Sequence, residues 1–292
     1  MIKYIKRADI DIAKYDACID NSFNTRIYAY SWYLDIVATN WDVLILDDYK
    51  AVMPLPWRQK YFIKYIYKPC WTQQLGIFSA NSIDEVLVQK FMKAIPKKFK
   101  KISIQFNSGN PISGKGVTKK VNYILPLDRG YEELFSEFKR SRRRRVRQSN
   151  NERLYIKDIS FFTFYEIVDK YYKFIKSSKD DYSRLKKLVD FLLKKSMCNL
   201  IGVFDSKENI VGATIQLFDK NRITYLFGIS TPEGKKIQSI TFVINNCIKN
   251  NSDSKLIFDF EGSMIIGVAK FFKSFGSLDE GYYAYQKKHF LD

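Results

Sequence analysis

The chain has 292 residues, 46% of them hydrophobic and 16% aromatic, with a formal charge of +18 from 49 Lys+Arg against 31 Asp+Glu. That composition excludes a disordered chain and a disulfide-built miniprotein, and the length suits two average domains or one large one. One histidine, His289, argues against Ser-His-Asp and Cys-His hydrolases and His-liganded metal enzymes, and the unclustered Cys18, Cys70, Cys198 and Cys247 argue for reduced thiols and against a zinc site.

The first half reads as a strand over Lys3 to Lys6, helices near Ile10 to Ile19 and Ser31 to Ala38, and three strands, Val43 to Leu46, Ala51 to Pro56 and Lys64 to Pro69. A helix through Val86, Leu87 and Phe91 then leads to the strand Ile102 to Phe106, and Val121 to Leu127 supplies one more strand. The next segment, residues 129–149, reads as a single joining helix with Asp128 near its N-cap, Glu132, Glu133 and Glu137 early and arginines late.

The second half repeats the order. Leu154 to Asp158 alternates as a strand, Ser160 is placed to cap a helix, and Phe164, Ile167, Val168, Tyr171, Tyr172 and Ile175 recur at helical spacing. A second helix carries Leu185, Leu188, Val189, Leu192 and Leu193, and the strands Leu200 to Phe204, Ile210 to Phe218 and Ile223 to Ser230 follow as a meander. A helix with Ile237, Ile240, Thr241, Ile244 and Ile248, the strand Leu256 to Phe260, a short helix from Ser263 to about Ser274 and a strand through Tyr282 to Tyr285 complete it. The order β-α-α-β-β-β-α-β-α-β, nearly all of it written twice, predicts an α/β protein with mixed sheets and two tandem domains, 1–149 and 150–292.

Two features carry more than topology: the segment from Leu134 through Arg140, Arg142, Arg143, Arg144, Arg145 and Arg147, and the ending Phe258-Asp259-Phe260-Glu261-Gly262-Ser263 with Phe271-Phe272-Lys273-Ser274-Phe275-Gly276. With the doubled order, they make the chain resemble the GNAT acyltransferase fold, and two such units joined by a basic helix are similar to the FemAB/FemX group of peptidoglycan-bridge aminoacyl transferases. The resemblance implies acyl transfer to an acceptor amine, with acyl-CoA or aminoacyl-tRNA as donor, the C-terminal half carrying the chemistry. In the Fem group the acceptor is a lipid-linked cell-wall precursor. Two other readings stay open: a catalytically degenerate binding protein for nucleic acid or anionic membrane, and an ordinary acyl-CoA-dependent N-acetyltransferase of a small amine or sugar.

Lysine is abundant together with Ile, Asn, Tyr and Phe, as in an AT-rich genome, but six of the thirteen arginines lie between Arg140 and Arg147. On one helix they repel, and guanidinium forks fit phosphate, so Arg142, Arg143, Arg144, Arg145 and Arg147 are expected to meet the phosphates of tRNA, CoA, a lipid pyrophosphate or headgroups. CoA-using GNATs place a Gln/Arg-x-x-Gly-x-Gly/Ala loop where the central helix starts; here Glu233-Gly234-Lys235-Lys236 has one glycine, with Lys235 and Lys236 as substitute charge. At the end of its strand, Glu261 is the expected general base or amine-orienting group, and Tyr225 a candidate acid on the third strand of the meander, with Gly228 marking a bulge. Asp259 and Ser263 would flank that site, and Trp71, Gln73 and Gln74 would hold part of an acceptor in an inter-domain cleft. No secretory or transmembrane segment is expected, which suggests a cytoplasmic protein, peripheral to the inner face of the membrane if it touches one. Oligomeric state has no signature here.

Overall fold

The computed structural model describes residues 1–172, 178–262 and 264–288. In chain order the first elements are β1 (Ile2–Lys6), α1 (Ile12–Asn21), α2 (Ser31–Val37), β2 (Asn40–Leu46), β3 (Ala51–Lys60), β4 (Ile63–Ile66), β5 (Phe78–Ser79), α3 (Glu85–Ala94), β6 (Phe99–Phe106) and β7 (Val117–Lys120). There follow β8 (Tyr123–Pro126), α4 (Tyr131–Glu137), α5 (Arg140–Asn151), β9 (Tyr155–Asp158), α6 (Phe161–Tyr171), α7 (Lys179–Lys194), β10 (Cys198–Phe204), β11 (Ile210–Phe218), β12 (Arg222–Ser230), α8 (Pro232–Lys236), α9 (Ser239–Asn250), β13 (Ile257–Asp259), α10 (Ile266–Lys273), β14 (Leu278–Asp279) and β15 (Tyr282–Lys288).

Local chemistry sets many of these boundaries. Asp11, Asp84 and Ser160 cap α1, α3 and α6 through side-chain oxygens, and Ser178 with Asp181 forms a capping box on α7. In the meander, Asp205 Oδ1 accepts from the Lys207 and Asn209 amides, and Asp219 Oδ1 from those of Asn221 and Arg222, which closes the β10–β11 and β11–β12 turns.

The chain forms two compact units, Met1–Lys120 with the segment from Gly281, and Val121–Glu280. Unit 1 holds an eight-stranded sheet of order β1-β2-β3-β4-β6-β15-β7, with β5 beside β3. Unit 2 holds a seven-stranded sheet of order β14-β8-β13-β12-β11-β10-β9. Each contains one parallel pair, β4 with β6 and β12 with β13, flanked by an antiparallel meander on one side and an antiparallel strand on the other. The duplicated α/β architecture with mixed sheets is therefore present.

The boundary expected near 149/150 lies instead at 120/121, because the final strands are exchanged. The strand expected to close the first half, β8, pairs with β13 in unit 2, where Leu125 and Leu127 join a core with Phe258, Phe260 and Phe275. The last strand, β15, pairs with β6 in unit 1, with Tyr283 opposite Phe106 and Tyr285 opposite Ile104.

Two expected helices are each broken in two. Residues 129–149 form α4 and α5, because the backbone turns extended at Phe138, whose ring is buried edge-on against Phe275, and the Lys139 amide donates to Ser274 O at 2.9 Å. The arginine run thus opens a helix rather than ending one. The central helix breaks between α8 and α9 at Gln238, whose φ of 65° is left-handed, and this brings buried Ser239 Oγ 2.8 Å from Ser230 Oγ and 3.2 Å from Val211 O. The short helix expected from Ser263 begins at Ile266; Ser263, Ile175 and His289 lie outside the described residues.

Candidate functional site

The parallel strands of unit 2 stay together only briefly. Arg222–Thr224 pair with Ile257–Asp259, after which β13 ends and β12 runs on to Ser230. On its other edge β12 follows β11, but Ile215 lies opposite Phe227 and Gln216 opposite Tyr225, so Leu226 is an extra, bulged residue. A bulge re-aims the backbone amides around it, here where the neighbouring strand has withdrawn. The sequence had pointed to Gly228 for this bulge. Gly228 serves packing instead, since a Cβ there would stand 1.5 Å from the Tyr225 hydroxyl. Beside the bulge, Thr214 Oγ1 donates to Phe227 O at 3.0 Å, and buried Gln216 Nε2 has no hydrogen-bond partner among the described residues.

Tyr225 is a buried member of the unit 2 core, packed on Phe258 and edge-on to Phe272. Burial, with Tyr172 nearby, drives its phenol pKa well above the ordinary value, against a smaller opposing effect from Thr214. At neutral pH it is a hydrogen-bond donor and no base.

Glu261 follows the end of β13 in a left-handed conformation, φ 56°, its amide donating to Asp259 Oδ1 at 2.9 Å. The next residue must be glycine, because a Cβ at Gly262 would lie 1.6 Å from Val121 O. Strand alternation therefore stops before Glu261, which lies beyond the strand it was expected to end. A strained non-glycine conformation held by a specific side chain is a feature that clusters at working sites.

Asp259 is structural rather than cleft-lining. It is buried and paired through Oδ2 with Arg222 Nη1 at 2.8 Å, while Asn122 Nδ2 donates to its Oδ1 at 3.1 Å. Arg222 also binds Glu280 with both terminal nitrogens, at 3.0 and 2.6 Å. These two carboxylates hold the guanidinium charged despite its burial. Arg222 belongs to no motif in the sequence; the one signal it offers is an arginine heading a strand that otherwise reads as core.

The arginine helix has two faces. Arg142, Val146 and Ser149 are buried, whereas Arg140, Arg143, Arg144 and Arg147, at i, i+3, i+4 and i+7, line one open groove of about 940 Å³ with Glu132, Phe135, Ser136 and Ser141. Four of the six arginines of the run thus converge on one wall. Arg143 Nη1 donates to Ser136 O across it.

On the other face, Arg142 donates from Nε to Ser274 Oγ at 2.8 Å and from Nη1 to Thr241 Oγ1 at 2.5 Å, with its guanidinium over Phe271 and Phe275 at 4.2 and 4.7 Å. No carboxylate pairs with it among the described residues. Burial, with Arg145 adding repulsion, lowers its pKa to about 10, so it stays charged at neutral pH. Thr241 lies in the first turn of α9, so an uncompensated cation sits at the positive end of a helix. Arg145 bonds Gln148, whose Nε2 donates to Lys236 O at 3.0 Å, joining α5 to α8.

At α8 the phosphate expectation weakens. The Gly234 amide is already bonded to Thr231 Oγ1 at 3.0 Å, and its lack of a Cβ serves contact with Val211 O, 1.8 Å from where that atom would be. Lys236 pairs with Glu233 at 3.0 Å, and Lys235 lies over the Tyr172 ring at 5.6 Å. In unit 1, the Trp71 carbonyl accepts from Tyr33, Gln74 Nε2 donates to Gln73 Oε1 at 2.6 Å, and Gln74 Oε1 accepts from the Ser108 amide at 3.3 Å. Gln73 and Gln74 are buried, so this is a packed loop whose amides bond to one another and to backbone.

No family model and no curated protein matches the chain. Among solved structures, FemX is similar with a TM-score of 0.68 at 13% identity, covering 97% of each chain. A conserved protein of unknown function from Bacteroides thetaiotaomicron gives 0.59 at 10% identity, covering 98% of this chain and 100% of that one. L-PGS from Bacillus licheniformis gives 0.55 at 11% identity, covering 95% and 92%. The chain has a FemX-like, duplicated fold. Among the described residues no helix is long and apolar enough to cross a membrane.

Proposed function

We propose that the protein transfers an aminoacyl group from a tRNA-borne donor to an acceptor amine, with the chemistry in unit 2. The observation that carries this reading is the parting of β12 from β13 beside the Leu226 bulge, with Glu261 at the end of the shorter strand. A bulged strand with a vacated edge offers backbone N–H groups to a developing oxyanion, and the Glu261 carboxylate would serve to remove a proton from the attacking amine. The amine nitrogen forms a bond to the acyl carbon, the ester bond to the ribose oxygen breaks, and the amine proton passes to Glu261 while solvent protonates the departing hydroxyl. Tyr225, buried and protonated, supports the bulge rather than taking that proton.

Two features favour RNA over CoA as the donor. The amide of the lone glycine at α8 is occupied by Thr231, which leaves a pyrophosphate without its usual close backbone approach. The four-arginine groove instead offers charges spread over two helical turns, about 10 Å, a span suited to successive phosphates of a polynucleotide.

The test is single-turnover transfer of a labelled aminoacyl group from charged tRNA to a panel of amines. Glu261→Gln is expected to slow transfer by roughly 10²–10⁴-fold while leaving tRNA affinity unchanged, as removal of a general base does. Transfer at the unmodified rate would remove Glu261 from the mechanism.

A further inference from the structure

In unit 1, β3 and β4 are joined by a two-residue turn, Tyr61-Phe62, between paired Lys60 and Ile63. Both turn residues are left-handed, with φ of 47° and 66°. A tight hairpin turn of this kind is ordinarily made by Asn-Gly or Asp-Gly, which adopt positive φ at little steric cost. Here two large aromatic rings occupy it, 82% and 95% exposed, with Ile63 beside them also exposed. Neither folding nor solubility is served by that choice.

The surroundings are mostly basic. From Tyr49 to Ile83 the chain has no acidic residue, and Arg58, Lys60, Lys64 and Lys68 fall within it. The amines of Lys60 and Lys64 lie over the rings of Tyr61 and Trp57, at 5.2 and 4.9 Å, and neither has a carboxylate partner among the described residues. Lys64 is in register with Phe99, which brings Lys98 to the same end of the sheet. Lys98 feels the repulsion of Lys64 and Lys6, and its pKa is lowered by burial and by these neighbours, against an opposing pull from Asp42. That one acid is engaged by the Tyr4 hydroxyl and the Arg7 amide.

We propose that this hairpin tip docks onto an anionic lipid bilayer, with Tyr61 and Phe62 entering the interfacial layer and the surrounding amines meeting the headgroups. Amphipathic aromatic rings settle at the headgroup level, and lysines close to a negative surface add attraction that falls with salt. A two-residue projecting tip suits a fluid interface. A protein partner would instead ask for a broad, shape-complementary patch around the anchor, and an RNA strand for a groove that tracks its backbone. The proposal stands independently of the transfer reading, because it uses only residues of unit 1.

The test is sedimentation of the full chain with vesicles of phosphatidylcholine alone and of phosphatidylcholine with 30% phosphatidylglycerol, roughly a plasma-membrane-like negative surface. Tighter binding to the anionic vesicles, by about tenfold or more, is expected, weakening with salt. Tyr61→Asn/Phe62→Gly relaxes the turn, so its thermal stability should equal or exceed that of the parent while vesicle affinity drops by about tenfold. Lys60→Gln/Lys64→Gln should lose about fivefold per lysine. A Phe62→Trp variant should show a blue-shifted emission with anionic vesicles. The proposal is overturned if the parent ignores anionic vesicles, if the Asn-Gly variant binds them as the parent does, or if the tryptophan emission does not move. Loss of tRNA rather than vesicle binding in the Asn-Gly variant would reassign the tip to RNA.

Discussion

Arg142 and Arg222 are both buried guanidiniums, and their surroundings give them opposite roles. Arg222 is held between Asp259 and Glu280 and fixes the strand ends of unit 2. Arg142 is held by two hydroxyls and two aromatic faces, so its charge is solvated but not neutralised. Replacing Arg222 by Met would leave buried Asp259 and half-buried Glu280 without their cation, and a loss of about 3–5 kcal/mol in unfolding free energy is expected by urea titration. A loss below about 1 kcal/mol would mean that water enters the cluster. Residue types were legible in the sequence at Arg142, where the run itself is unusual, and illegible at Arg222, because alternation in a strand says which face a side chain takes and not which distant acid meets it.

At the scale of elements, periodicity and caps locate the long helices and strands, whereas the short β5, β7 and β14 carry too few residues to show alternation, and tertiary contact overrides a continuous pattern at the two broken helices. Nothing local marks Phe138 as extended; its ring is needed against Phe275, and the helix gives way. That break changes the electrostatics of α5, since arginines expected at the negative end of a helix lie at the start of one, where the dipole opposes them and an anion would relieve both. The glycine of α8 was likewise read for phosphate when its role is closeness to β11. Gly234→Ala drives a Cβ into Val211 O and should cost about 2–3 kcal/mol, measured as a lowered thermal midpoint. An unchanged midpoint would show that α8 can shift outward freely.

For the whole molecule, the doubled element order was enough to predict a tandem duplication, and the FemX-like fold agrees with it. The exchange of β8 and β15 between sheets was not readable, because each strand satisfies the same alternation in either sheet and only pairing partners distinguish them. The charge of +18 resolves into distinct surfaces: one wall of arginines on α5 in unit 2, and a lysine-ringed aromatic turn in unit 1. The proposed role of the arginine wall is to hold an RNA-borne donor. Its most direct measurement is the salt dependence of bulk tRNA and acetyl-CoA binding by the parent chain and by Arg143→Gln/Arg144→Gln/Arg147→Gln. The expected result is tRNA binding with a steep salt slope that flattens by about 2–3 in the variant, and weak acetyl-CoA binding that is the same in both. Tight acetyl-CoA binding, or a tRNA slope unchanged by loss of the three arginines, would contradict it.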